Sequence, residues 1–143
     1  MTPEWLMVAR SEQHRDVVDP AEYKRVVTYG VTYDRIGWAA AFVNWCLYRT
    51  GLIGTDRAMA LSFLWWGAVP LDGPAPGAIV VIGQGAGRGY VGILDAVARD
   101  RLVLIGAMSG SSVGLTEHPA ADMLGIRWPL SAASPLWPIR SRG

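Results

Sequence analysis

The hydrophobic positions of this chain change period once along its length. In the first half they recur at three- and four-residue steps, the spacing of helices buried on one side. Trp5, Leu6, Val8 and Ala9 form the inward side of a first helix, opened by Thr2 as cap and Pro3 as first helical residue and running to about Gln13. The stretch "DPAEYKRVVTYG" repeats the device: Asp19 caps, Pro20 takes the first position, Glu22 completes a capping-box pattern and Gly30 stops the helix. "VTYDRIG" reads as a loop. "GWAAAFVNWCLYRTG", residues 37–51, sets Phe42, Trp45, Cys46 and Arg49 on helical steps, with Gly51 as a C-terminal stop. "TDRAMALSFLWWG" predicts a fourth helix, capped by Thr55 or Asp56 and ending near Gly67.

The segment "VPLDGPAPG" then interrupts helical order with three prolines, and short apolar strands follow. "AIVVI" is the first of them. "GQGAGRG" is a glycine-rich hairpin loop, "YVGILDAVA" and "RLVLIGAM" are strands around a turn at Arg99-Asp100-Arg101, and "SSVGLTEH" and "LGIRWPL" complete the sheet. Helices first and an antiparallel meander second predict one α+β domain over 1–143. Its helical part covers about 1–67 and its β part about 77–130. A Pro- and Ser-rich tail, 131–143, is expected to lie extended on the body.

Composition narrows the function classes. The chain is 51% hydrophobic and 17% charged with a net charge of +1, which suits a packed domain and excludes a disordered one. Its basic residues are scattered, so no nucleic-acid footprint is expected. One cysteine excludes an internal disulfide and a cysteine metal cluster, and neither a metal nor a cofactor is expected. The first residues lack the basic and apolar runs of a signal peptide, and no apolar run reaches the ~18 residues of a membrane span. Synthesis in the cytoplasm is expected, with delivery to a virion tail or by a secretion machine compatible with it. Seven tryptophans exceed what so small a core hides easily, and one or two of them suggest a contact surface.

The third helix poses the chemical question. Its N-terminus would favour a thiolate, yet three alanines occupy its first turn. The order of "WAAAFVNWCL", a Ser-x-x-x-Trp-Gly helix, "PAPGAIVV", "GYVGI" and "LGIRWP" resembles the papain-like cell-wall hydrolases of the NlpC and CHAP type, over about Trp5 to Pro129. The resemblance implies helices packed on an antiparallel sheet. It also implies a cysteine at the head of the third helix, a histidine before the Val-Gly of a strand, and a third polar residue on the next strand that orients the imidazole. Those positions fall on Ala39, Tyr90 and Met108. Alanine has no nucleophile, a tyrosine near pKa ~10 is a poor base at neutral pH, and methionine cannot orient an imidazole. An engineered alanine would account for position 39 alone.

The resemblance therefore implies a catalytically inert homologue of a peptidoglycan amidase or endopeptidase. The leading expectation is a structural or docking component of a phage tail or secretion assembly, with protein partners. The alternatives are a peptide- or peptidoglycan-binding module without cleavage, its cleft lined by Trp38, Ala39, Tyr90, Met108 and Ser109, and a live hydrolase using other residues. Cys46 lies two turns beyond Ala39, about 10 Å deeper, and reads as a small buried hydrophobe. His118 reads as a strand-end surface residue, Ser109, Ser111 and Ser112 as a polar turn, and Asp95 as a solvent-edge residue.

Overall fold

A computed structural model describes residues 2–15, 18–29, 38–71, 73–108 and 112–130. The chain is α+β. Three α-helices, α1 (Glu4–Glu12), α2 (Pro20–Lys24) and α3 (Ala39–Arg49), precede a five-stranded antiparallel sheet of β1 (Ile79–Gly83), β2 (Gly89–Ala98), β3 (Arg101–Met108), β4 (Ser112–Pro119) and β5 (Met123–Arg127). The order β4-β3-β2-β1-β5 keeps the expected meander for four strands. The fifth strand instead crosses to the far edge and pairs with β1. That placement buries β1 between two neighbours, and Ile79, Val80, Val81 and Ile82 are all inaccessible. Among the described residues no helix is long and apolar enough to cross a membrane.

The helical half differs from the expectation in three places. Pro3 rather than Thr2 precedes the first turn of α1. Asp19 does cap α2, accepting from the Ala21 amide at 3.0 Å, but Glu22 turns to Arg15 instead of closing a capping box. The helix ends at Lys24 because the chain beyond it binds elsewhere: the Thr28 and Tyr29 amides both donate to the Asp56 carbonyl. The predicted fourth helix is only a 3-10 helix, Ala60–Trp65. Its intended first turn is consumed by Asn44, a buried residue of α3. The Asn44 amide donates to the Arg57 carbonyl and its oxygen accepts from the Asp56 N–H at 3.1 Å, while Asp56 itself adopts φ +60°. Backbone groups held this way cannot join a helical ladder. The Gly30 stop, the 31–37 loop and the tail lie outside the described residues.

α3 keeps both of its ends. Gly51, at φ +81°, closes it in a Schellman arrangement: the Leu52 amide returns to the Leu47 carbonyl and the Gly51 amide to that of Tyr48. Residues Ala40 to Leu47 are buried. α1 is fastened to the sheet by the Trp5 indole, which donates to the Gly77 carbonyl at 2.6 Å, and by Arg10, which pairs with Asp95 at 2.7 Å. Asp95, read from the sequence as a solvent-edge residue, sits at a bulge of β2 and anchors a helix. Glu12, buried, accepts from the Tyr23 hydroxyl at 2.6 Å and from Arg15 at 2.7 Å, joining α1 to α2. Trp5, Trp38, Trp45 and Trp128 are buried, whereas Trp65 is 88% exposed.

Candidate functional site

A cleft of about 1120 Å³ opens between the head of α3, the segment 54–66 and the β1–β2 hairpin. Ala39 and Ala40 form its wall on the helix side. Gln84, Arg88 and Tyr90 come from the hairpin, and Arg57, Met59, Ser62, Trp65 and Trp66 from the segment 54–66. The hairpin is the tight loop that its glycines predict. Gly85, Ala86 and Gly87 all take positive φ, the Arg88 amide donates to the Gly85 carbonyl, and Gln84 donates to that of Arg88.

Ala39 and Tyr90 thus share one cleft. The other residues named from the sequence stand apart from it. Trp38, which precedes the first turn of α3, is buried and stacks on Tyr23 at 5.5 Å. It packs into the helical layer and not into the cleft, which corrects its reading as a lining residue. Met108 ends β3 next to Ser112, and its sulfur lies over Gly114, also outside the cleft lining. Ser109 and Ser111 lie outside the described residues.

Outside the cleft lining, the structure brings His118 onto the Tyr90 ring. By strand alternation Tyr90, Gly106, Thr116 and His118 stand on one face of β2, β3 and β4. Gly106 leaves room for the Tyr90 ring to cross it: a Cβ there would lie 2.6 Å from the phenolic oxygen. Tyr90 crosses, donates to the Ala107 carbonyl at 3.0 Å and stacks on the His118 ring at 5.4 Å. His118 also meets the Thr116 hydroxyl at 2.8 Å. His118 does lie at the end of β4, as expected, but it is half-buried in this stack and not simply a surface residue. A glycine on the intervening strand was the available signal.

The electrostatics leave no base or nucleophile at Ala39, Tyr90 or Met108. Burial pushes the Tyr90 phenol up to about 12, so it stays protonated at neutral pH. Burial and then the nearby Arg101 lower the His118 pKa below its ordinary 6.5, with Asp122 opposing. The fold therefore favours the neutral imidazole. The stability this brings is complete above pH 6.5 and declines as acid protonates the unfolded chain more readily than the folded one. An NMR titration is expected to place the His118 midpoint below the ordinary 6.5; a midpoint above it would contradict the stack.

Cys46 is fully inaccessible and burial pushes its thiol well up. Native protein is expected to resist iodoacetamide at Cys46, while the Ala39→Cys variant takes one label within minutes, read by intact-mass spectrometry. Labelling of the parent at a comparable rate would show that Cys46 is open to reagent. Among the described residues no group of three or more His, Cys, Asp or Glu side chains is placed to hold a metal ion. Comparison with protein-family models and with curated proteins finds no match.

Proposed function

We propose that this chain is an inert relative of the papain-like cell-wall amidases and endopeptidases, and that it holds a ligand in the old catalytic cleft without cutting it. One observation carries the reading. The positions where the resemblance requires a thiol and an imidazole, Ala39 and Tyr90, line a single open cleft. The space is kept while the chemistry is absent: a methyl group stands at the helix head and a protonated phenol stands on the strand. Loss of triad members costs on the order of 10⁴ or more in rate, and what remains at such a site is binding.

Two measurements test it. Purified protein is expected to leave the turbidity of peptidoglycan sacculi unchanged over hours, and clearing of the suspension would overturn the reading. Calorimetric titration with soluble muropeptides or other wall fragments is expected to give heat that the cleft variant Tyr90→Ala loses.

A docking subunit of a phage-tail or secretion assembly is the second reading. It draws on the large exposed apolar side chains near the cleft, Trp65 at 88% and Ile53 at 86% exposure. Light scattering together with capture from the native particle tests it, and a monomer without a partner there would end it.

A further inference from the structure

Three features of the cleft bear on what it holds. The first is charge. Arg57 and Arg88 both line it, and among the described residues no aspartate or glutamate does. Neither guanidinium has a carboxylate partner among the described residues, whose ion pairs all belong to Arg10, Arg15 and Arg101. Asp56, the neighbour of Arg57, is turned away to accept from the Thr28 amide at 2.8 Å.

The second feature is preorganisation. Asn44 and Thr55 hold the Arg57 backbone, and its guanidinium rests on the Tyr29 ring at 4.7 Å. Arg88 is set by the hydrogen-bonded hairpin turn. Both arginines therefore stand on constrained backbone, which lowers the ordering cost of binding.

The third is an aromatic platform. Trp65 is a cleft-lining residue with 88% of its surface exposed. The backbone beneath it is anchored, because the next residue, Trp66, donates to the Ile53 carbonyl at 3.0 Å and packs on Phe63. A flat indole in a cleft that is also lined by a hydroxyl and an amide (Ser62 and Gln84) suits a molecule with an apolar face and a polar rim.

We propose that the cleft binds an acidic saccharide, its carboxylates held by Arg57 and Arg88 and a pyranose C–H face stacked on Trp65. Guanidinium groups suit carboxylates because they present paired donors in a plane. A pyranose ring supplies the apolar face that an acidic peptide lacks. This inference rests on the cleft being a holding site, and it assigns the ligand class.

The test titrates the full chain with hexagalacturonate, cellohexaose and hexaglutamate, followed by calorimetry and by amide shifts. Hexagalacturonate is expected to bind, to weaken as salt rises and to shift amides of residues 57, 65 and 88. Arg57→Gln, Arg88→Gln and Trp65→Ala are each expected to weaken it roughly tenfold, the effect of losing one charge-assisted or stacking contact. Arg101→Gln, outside the cleft, is expected to leave it unchanged.

Absence of hexagalacturonate binding at millimolar ligand overturns the proposal. So does equal binding by hexaglutamate, which would reduce the site to an anion receptor, or by cellohexaose, which would remove the role of charge. Unchanged affinity in both arginine variants overturns it as well. The sacculus assay reports separately. Clearing there sinks the inert-scaffold reading and leaves uronate binding standing, whereas muropeptide binding without uronate binding sinks the ligand class alone.

Discussion

Truncating Trp5 to alanine is expected to lower the unfolding free energy by about 3–5 kcal/mol, the usual cost of emptying a large aromatic site in a core. The residue is 5% exposed and meets Trp128 edge-to-face at 5.3 Å. Its indole N–H donates to Gly77, a residue at φ +101° whose own amide binds the Leu94 carbonyl. One side chain thus joins α1, the approach to β1 and the middle of β2. Trp5→Phe keeps much of the ring and loses the donor, so it is expected to cost less than the alanine change, with the unpaired Gly77 carbonyl accounting for about 1–3 kcal/mol. Urea unfolding of the three proteins measures both steps. A loss below about 1 kcal/mol for the alanine variant would mean that α1 docks by other contacts.

Asn44→Leu is expected to cost about 2–4 kcal/mol, although leucine keeps the same branched side-chain shape. Asn44 lies inside α3 and is 4% exposed. Its amide nitrogen faces the Ala40 carbonyl at 2.9 Å, the Arg57 carbonyl at 3.1 Å and the Thr55 hydroxyl at 3.2 Å. Its oxygen accepts from the Asp56 N–H. Leucine offers none of these bonds and leaves the Asp56 amide and the Arg57 carbonyl without that partner. Because the same residue positions the cleft wall, the loss also reaches function: amides of residues 54–58 are expected to exchange faster with solvent and ligand affinity is expected to fall. Unchanged exchange in that segment would show that the Thr28 and Tyr29 bonds to Asp56 hold it alone.

Much of the fold was legible because local rules and tertiary demands agree. Asp19-Pro20 opens a helix, Gly51 closes one, and "AIVVI", "GQGAGRG" and "YVGILDAVA" make a hairpin where their residue types predict it. The two-residue turn at Arg99-Asp100 follows the same logic, since Ala98 pairs with Arg101. The fourth helix was misread for an equally physical reason. "AMALSFLWW" has helical propensity, but the Asn44 side chain, more than ten positions away, holds the Asp56 amide and the Arg57 carbonyl at the expected helix start, and burial makes that competition decisive.

For the candidate site, the sequence named Ala39 and Tyr90, which the structure places in one cleft. It did not locate Arg57, Trp65 or Arg88, which lie on a loop, a short 3-10 helix and a hairpin and converge only when the chain packs. Nor did it pair His118 with Tyr90, because the contact crosses an intervening strand through the gap at Gly106.

By itself the sequence determined most of the helices and strands, the faces they bury, and the residue types at positions 39, 90 and 108. Periodicity, capping residues and side-chain chemistry are local properties, readable within a few positions. Only the tertiary structure decided that β5 pairs with β1, that Asn44 unwinds a helix start, and that two arginines and a tryptophan share a cleft. Such pairings join residues far apart in the chain, and they are selected by burying apolar surface and satisfying buried polar groups over the whole molecule at once.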